Sequence, residues 1–168
     1  MYRGGDFVLL DEEVFAVVLA VSIIASALGI ALVLRPGNPE PFTAIGLLNE
    51  ECKIGEYPRV ARNASSLRLC IYVANYLNRP GYFKVVYKIA TRETLPTNTT
   101  PSPESALREW RLVLGDGEDE AFPVNVTVYS LRGETRVALV FELWLYRSSS
   151  REWIYTGRWV HLYINITV

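Results

Sequence analysis

TRVALVFELWLY, residues 135–146, is the stretch that decides the fold class of this chain. Apolar side chains recur at every second position from Val137 to Leu145, so one side of an extended strand would be wholly apolar. The same alternation occurs in YFKVVYKIA, residues 82–90, and in RWVHLYINITV, residues 158–168. Because a half-buried β-strand has a period of two, these stretches predict strands whose apolar sides meet in one core.

Turn residues divide the rest of the second half of the chain into similar short segments. The turn 78–81, Asn-Arg-Pro-Gly, predicts a hairpin between the second and third strands. The proline-containing segment Thr91–Ser105 predicts a long, mobile loop. Seven strands at this spacing predict an all-β domain, a seven-stranded β-sandwich. The predicted strands are Phe42–Leu48, Ser66–Tyr76, Tyr82–Ala90, Arg108–Leu114, Phe122–Tyr129, Thr135–Tyr146 and Arg158–Val168.

The first half of the chain contains a different signal, a run from Val14 to Leu34 without a charged residue. A helix of this length is about 31 Å long, close to the thickness of the hydrocarbon core of a bilayer. We therefore expect one N-terminal transmembrane α-helix, capped by Asp11 and ended by Arg35, Pro36 and Gly37. The predicted organisation is a cytoplasmic leader (1–13), the helix (14–34), a linker (35–41) and an extracellular domain (42–168).

Two forms of processing are alternatives to a permanent anchor. Residues 25–27, Ala-Ser-Ala, have the form of a signal-peptidase site, but the preceding leader is acidic and the apolar run continues beyond it. Residues 3–5, Arg-Gly-Gly, are similar to the cleavage site of archaeal pilin precursors, but eight residues separate them from the apolar helix. We predict that the leader and helix remain attached.

The arginines that flank the apolar run do not indicate the orientation of the helix, because one lies on each side. The Asn-x-Ser/Thr acceptors for N-glycosylation decide the expected orientation instead. The composition predicts about one such acceptor by chance, and the chain has four. All four follow the helix, so we expect a glycosylated domain on the outer face of the membrane. The alternative is that threonine is simply common in strands. The acceptors are Asn63, Asn98, Asn125 and Asn165.

Composition excludes several function classes. Seventeen Lys and Arg against eighteen Asp and Glu leave no electrostatic footprint for nucleic acid. One His and two Cys lack the usual parts for hydrolytic or metal chemistry, so we predict no catalytic residue, cofactor or metal site. An acidic segment offers oxygens to Ca²⁺ but matches no established loop, and we interpret it as a solvated turn. That segment contains Asp116, Glu118, Asp119 and Glu120.

The two cysteines, Cys52 and Cys70, are predicted to form a disulfide outside the cell. The bond would contribute about 3 kcal/mol by the chain-entropy estimate. Buried free thiols are the alternative, because spacing alone does not show that two sulfur atoms meet. A nucleophile pair of a cysteine with His161 is a further alternative, but the sequence names no third group to orient it.

Aromatic residues alternate with the core positions of the last two strands. If these strands are neighbours, five rings share the outer face of one sheet, where exposed Trp and Tyr side chains are typical of a surface that binds a protein or a glycan. The alternative is that Lys84, Lys88 and arginine side chains cover the rings as an ordinary outer face. The predicted partner surface comprises Trp144, Tyr146, Trp159, His161 and Tyr163.

Small residues form a stripe within the apolar run. Ser22, Ser26 and Gly29 follow one another at i, i+4 and i+7, and such a stripe lets two helices approach closely. We predict helix packing on this stripe. A lone anchor that carries the same residues by chance is the alternative.

Several strand segments together resemble a known family. They are Phe42–Thr43, Gly55–Pro58, Tyr72–Asn75, Leu143–Tyr146 and Trp159–Ile164. On these segments, residues 42–168 resemble the archaeal membrane family catalogued as domain of unknown function 1616. The resemblance implies an archaeal, membrane-attached, immunoglobulin-like outer domain and implies no activity.

These observations predict a non-enzymatic, single-pass archaeal cell-surface protein whose outer domain binds or assembles with other envelope components. The expected partners are the lipid bilayer, an envelope protein or glycan, and further copies in a homo-oligomer or multi-subunit assembly. The alternative is a pilin-like filament subunit whose N-terminal apolar helix packs in the core of a fibre.

Overall fold

A computed structural model describes residues 12–34 and 40–167 of the chain. The chain divides into two units, Met1–Glu40 and Pro41–Val168. The predicted leader up to Asp11, the helix-ending residues Arg35, Pro36 and Gly37, and Val168 lie outside the described residues.

The described part of the first unit forms one helix, α1, at Glu12–Val33. Its segment Val14–Val33 has a mean hydropathy of 2.7, and none of it is buried. By length and composition α1 suits a membrane span or a signal sequence. The prediction of one apolar helix near the N-terminus is confirmed.

The second unit contains eight strands rather than the predicted seven. The additional strand, β2, has three residues and lacks any alternation that the sequence could reveal. The last strand begins six residues earlier than predicted, because Trp153 and Tyr155 continue its pattern through Gly157. The strands are β1 Phe42–Leu48, β2 Val60–Arg62, β3 Ser66–Tyr76, β4 Gly81–Ala90, β5 Arg108–Leu114, β6 Asp119–Thr127, β7 Arg136–Arg147 and β8 Glu152–Thr167.

The strands form two sheets, as predicted for a β-sandwich. One sheet has the order β1-β3-β6 and the other has the order β2-β8-β7-β4-β5. All pairs are antiparallel except β2 with β8. This two-sheet arrangement is immunoglobulin-like, and the all-β prediction is confirmed apart from the strand count.

The core lies where the apolar sides of the two sheets meet. β4 contributes Phe83, Val85, Tyr87 and Ile89, all at most 4% exposed, as the alternation predicted. The same cluster takes in alternate residues of β3, β6 and β7. Tyr87 satisfies its hydroxyl by donating to the Thr127 carbonyl at 3.0 Å. Burial therefore raises the pKa of this phenol above its ordinary value, with the nearby Tyr129 as a smaller cause.

The predicted hairpin between the second and third predicted strands is wrong. β3 belongs to the three-stranded sheet and β4 to the five-stranded sheet, so the turn at residues 78–81 crosses between sheets. The buried Asn75 holds this crossing beside the β5–β6 crossing by donating to the carbonyls of Arg79, Leu114 and Gly115 at 2.9–3.0 Å. Turn residues predict a reversal of the chain, and they do not indicate which sheet the next strand joins.

Candidate partner surface

The outer face of the five-stranded sheet, opposite the core, carries the predicted aromatic residues. β7 and β8 are neighbours, and their register pairs Glu142 with Trp159, Val140 with His161, and Ala138 with Tyr163. The same face also carries three aromatic residues that the sequence analysis did not single out, Tyr82, Trp153 and Tyr155. If the alternation of the last strand had been followed back to Glu152, Trp153 and Tyr155 would have been included. We call these eight side chains the aromatic face, namely Tyr82, Trp144, Tyr146, Trp153, Tyr155, Trp159, His161 and Tyr163.

Five of these rings form two neighbouring groups, Tyr82, Tyr146 and Trp153 in one and Trp144 and Tyr155 in the other. The Trp153 ring lies 5.0 Å from Tyr82 and 5.3 Å from Tyr146, and Trp144 lies 5.4 Å from Tyr155. The Lys84 ammonium lies over Trp153 at 4.9 Å and over Trp144 at 5.5 Å, and Arg111 also lies over Trp153. These cations occupy the ring faces, as the alternative interpretation of this surface expects.

The other three rings, Trp159, His161 and Tyr163, follow one another along β8. Their centroids are 5.2 and 4.9 Å apart, and Trp159 and Tyr163 pack against the buried cluster Ala90, Ala138 and Val140. Desolvation lowers the pKa of His161 below its ordinary value. The Arg136 guanidinium covers Tyr163 at 4.6 Å, and within the described residues no cation lies over Trp159 or His161.

The loop Thr91–Leu107 includes the segment Thr91–Ser105, which was predicted to be mobile, but it lies against this outer face and is held there by an ion pair. The Lys88 ammonium lies 3.0 Å from the Glu142 carboxylate, and both side chains are at most 8% exposed. Ser102 N–H donates to Glu142 at 2.6 Å, and Lys88 donates to the Ser102 carbonyl at 2.6 Å. Trp144 also donates its indole N–H to the Glu142 carboxylate at 3.2 Å. The pair thus binds the loop through main-chain atoms.

The loop makes two further contacts at β8. Tyr155 donates its hydroxyl to the Thr97 carbonyl at 2.8 Å, and burial, with Glu142 as the smaller cause, raises the pKa of Tyr155 to about 12. The Asn98 carbonyl lies where a Cβ on Gly157 would stand, and Gly157 has a φ of 73°. Only glycine allows this close approach, so the loop fixes the chain just before Trp159.

β8 has an edge without a strand partner beside Trp159. β2 pairs only with Asn165–Thr167, and within the described residues no strand pairs with the other side of β8 before Asn165. Asn165 N–H donates to Arg59 on the β2 side, whereas Ile166 N–H donates to Thr135 on the β7 side. Because backbone direction alternates along a strand, Trp159 and His161 direct their N–H and C=O groups toward the open edge.

Two clefts adjoin this edge. One, of about 440 Å³, is lined by Leu47, Tyr57 and the segment Trp159–Leu162. The other, of about 390 Å³, is lined by residues 42–45 of β1, by Asn98 and by Gly157–Trp159. Trp159 therefore borders both clefts, and the edge between them combines free backbone groups with apolar walls.

The four edges of the sandwich differ in how they are protected against pairing. β5 carries Arg108, Glu109 and Arg111, and β6 carries two acidic residues and Pro123. Charges and proline are the usual protection of an edge strand. β1 has no charged residue, and neither has β8 between Arg158 and its C-terminal end. Since β1 and β8 border the same clefts, the unprotected edges lie on one side of the domain.

The remaining predicted site residues lie elsewhere. Cys52 and Cys70 are joined by a disulfide with Cα atoms 5.1 Å apart, and Cys70 is fully buried. The nucleophile alternative therefore has no free thiol at these positions. His161 belongs to the aromatic face instead.

The predicted glycosylation acceptors, Asn63, Asn98, Asn125 and Asn165, all have exposed side chains. Asn63 accepts a hydrogen bond from Ser130 N–H at 3.0 Å, and Asn98 lies in the loop that crosses β8. None of the four lies in the sandwich core.

The small-residue stripe on α1 satisfies its polar groups within the helix. Ser22 donates to the Val18 carbonyl at 2.8 Å, and Ser26 donates to the Ser22 carbonyl at 2.7 Å. Nothing lies within 4 Å of the position that a Cβ on Gly29 would take. The stripe is therefore compatible with a lipid environment and with close helix packing alike.

In the acidic segment at the β5–β6 crossing, two carboxylates accept hydrogen bonds from backbone N–H groups. Asp116 accepts from Asn78 N–H at 2.8 Å, and Glu118 accepts from Gly115 N–H at 2.6 Å. Asp119 and Glu120 are exposed at the start of β6. Within residues 12–34 and 40–167, no three His, Cys, Asp or Glu side chains converge on a possible metal site.

Comparison with known proteins gives similarities of fold only. No protein-family model matches the chain, so the resemblance to domain of unknown function 1616 is not confirmed, and no curated protein sequence matches it either. The CARDB domain of the PF1109 protein from Pyrococcus furiosus, crystallised with di-metal ions, is 11% identical, with a TM-score of 0.45 over 76% of this chain and 90% of that chain. Its solution structure gives a TM-score of 0.48 over 76% and 96%. The sporulation control protein Spo0M from Bacillus subtilis is 9% identical, with a TM-score of 0.42 over 75% and 49%.

Proposed function

We propose that this protein is a non-enzymatic, membrane-anchored cell-surface protein whose strand domain lies outside the cell and binds another envelope component. In this proposal α1 crosses the bilayer once, and the leader, residues 1–13, lies on the cytoplasmic side. The glycan acceptors and the disulfide belong to the outer domain.

One observation carries the proposal, namely Trp159 at the unpaired edge of β8 between two clefts. Tryptophan contributes strongly to interfaces because it buries a large apolar surface and keeps one polar group. No described cation lies over Trp159 or His161, whereas cations lie over Trp144 and Trp153. Because Trp159 and His161 also lie at the open edge of β8, we centre the partner contact on these two residues.

The backbone at this edge supports a protein partner over a glycan. Free N–H and C=O groups at Trp159 and His161 can pair with an added strand, and the two clefts can take its alternate side chains. The long uncharged stretch of β8 lacks the protection that β5 and β6 carry. We infer that an extended segment of another envelope protein adds to β8.

The test compares the size of the native assembly for variants of the full chain. Envelope complexes extracted in mild detergent are separated by size, and the chain is detected by an added epitope. We expect Trp159→Ala to shift the protein to the size of the free chain. Tyr129→Ala, which removes a 45% exposed ring outside the aromatic face, is the matched control and should keep the assembly. Equal behaviour of the two variants would exclude the proposed contact.

The filament alternative gives a different outcome in the same preparation. All described side chains of α1 from Val14 onward are exposed in the isolated chain, which suits a fibre core as well as lipid. A pilin-like subunit would sediment as fibres visible by electron microscopy and would resist mild detergent. A membrane-anchored subunit would be extracted by the same detergent.

A further inference from the structure

Three arginines converge on a cavity at the end of the sandwich where the strand domain begins. Arg79 comes from the β3–β4 crossing, Arg147 from the end of β7 and Arg158 from β8. The cavity has a volume of about 250 Å³, and no acidic residue lines it. Within the described part of the chain, these three arginines form no ion pair with a carboxylate.

The neighbouring carboxylates form no ion pair with this cluster. Glu152 faces Arg147 in the β7–β8 ladder without forming an ion pair with it. Asp116 and Glu118, at the β5–β6 crossing of the same end, accept backbone N–H groups instead. Three like charges around one cavity repel one another, so an anion bound between them would be stabilised.

The rest of the cavity is largely apolar. Leu77, Leu145 and Ile154 are half-buried in its wall, and Pro41 and Phe42 complete it on the β1 side. A guanidinium binds phosphate or carboxylate through two parallel hydrogen bonds, and apolar walls favour a hydrocarbon portion beside that anion. The cavity thus fits an anion that carries an apolar chain.

The position of the cavity in the chain indicates where such a ligand comes from. Pro41 lines the cavity and is the first residue of the strand domain. Seven residue steps separate Leu34, at the end of α1, from Pro41, and an extended chain covers roughly 25 Å in seven steps. With α1 across the bilayer, as proposed above, the cavity stays within reach of the outer layer of lipid headgroups.

We propose that Arg79, Arg147 and Arg158 bind the phosphate of an anionic membrane lipid, whose glycerol and first methylene groups contact Leu145 and Ile154. This inference rests on the proposed membrane anchor, but its test does not need a membrane.

The test uses the full chain in a neutral detergent and counts bound lipid by native mass spectrometry. Dioleoylphosphatidylglycerol is the probe, and dioleoylglycerol, with the same acyl chains and no phosphate, is the comparison lipid. We expect the chain to retain one phosphatidylglycerol and no dioleoylglycerol. In Arg147→Gln/Arg158→Gln, retention should fall by at least about tenfold, because several charge-assisted hydrogen bonds are lost. All three arginines are exposed, so folding should be preserved.

Matched variants show whether the cavity is responsible. Arg62→Gln/Arg68→Gln removes two exposed arginines outside the cavity and should retain the lipid. Equal loss in both double variants would overturn the proposal, as would loss in Arg35→Gln, which tests the flank of the helix. Displacement of the lipid by an equal concentration of inorganic phosphate would assign the cavity to free phosphate and overturn the lipid source. Protection of the domain from protease on intact cells would contradict the proposed anchor without changing this measurement.

Discussion

The Lys88 ammonium lies 3.0 Å from the Glu142 carboxylate, on the outer face of the five-stranded sheet and beneath the loop Thr91–Leu107. Both partners also bind the main chain of Ser102, so the pair connects two central strands to the loop that covers them. A solvated lysine at this position would leave the loop without these bonds. The ion pair therefore explains why a proline-containing loop is fixed at the edge of the aromatic face.

Removing one partner of this ion pair should destabilise the folded domain. Glu142→Gln leaves the Lys88 charge buried without a counter-charge, and we expect a loss of about 3 kcal/mol in the free energy of unfolding, measured by denaturant titration. The exposed pair Lys53–Glu51 provides the control, because Glu51→Gln should cost less than about 1 kcal/mol. Equal losses in the two variants would contradict the role assigned to burial.

Truncation of Trp159 should separate folding from partner binding. Trp159 is half-buried over Ala138 and Val140, so we expect Trp159→Ala to cost about 1 kcal/mol. Phe141 is fully buried between the sheets, and Phe141→Ala should cost about 3–5 kcal/mol. Thermal unfolding of the two variants checks this difference, and equally large losses would mean that Trp159 is a core residue and that its surface binds no partner.

The sequence predicts the elements that repeat a simple pattern. Apolar residues occupy every second position of Phe83–Ile89 and Val137–Leu145, so these strands and the side that faces the core were predictable. The aromatic face followed from the same parity, because Trp144 and Trp159 occupy the positions between core residues. Local periodicity determines the side of a strand, and here it was sufficient.

Other features depend on contacts between distant segments. Lys88 and Glu142 are far apart in sequence, and only the β4–β7 register brings them together under Ser102. The direction of the chain after Asn78 depends on how Asn75 joins two crossings, which no local pattern encodes. The three arginines of the cavity also come from three separate elements, so their convergence could not be read from their spacing.

His161 should make stability depend on pH in a defined direction. Desolvation lowers its pKa in the folded state, so the unfolded chain binds a proton more readily as the pH falls through the ordinary histidine value near 6.5. We therefore expect the free energy of unfolding to decrease between pH 7.5 and pH 5.5 by more in the parent protein than in His161→Gln. Denaturant titrations at both pH values measure the difference. A larger decrease in the variant would mean that His161 is stabilised in its protonated form.

The disulfide should be detectable and should stabilise the domain. Intact mass after alkylation, with and without reductant, should show that Cys52 and Cys70 take up reagent only after reduction. The bond closes a loop with a sequence separation of 18, so Cys52→Ser/Cys70→Ala should lose about 3 kcal/mol in the free energy of unfolding. Two freely alkylated thiols in the native protein would refute the pairing.

Topology can be tested on the same chain in intact cells. The four glycan acceptors all follow α1 and are exposed, so we expect residues 42–168 to lie outside and to be removed by added protease. An epitope placed before residue 12 should remain protected, because the leader is predicted to stay attached on the cytoplasmic side. In the untreated protein, each Asn→Gln change at Asn63, Asn98, Asn125 or Asn165 should reduce the mass by one glycan. A protected strand domain would reverse the orientation and remove the oxidising, glycosylating environment on which the disulfide and the proposed surface function depend. A native N-terminus at Gly5 or Asp6 would instead favour the filament alternative, since it would show that the chain is processed at Arg3-Gly4-Gly5, the segment similar to the cleavage site of pilin precursors.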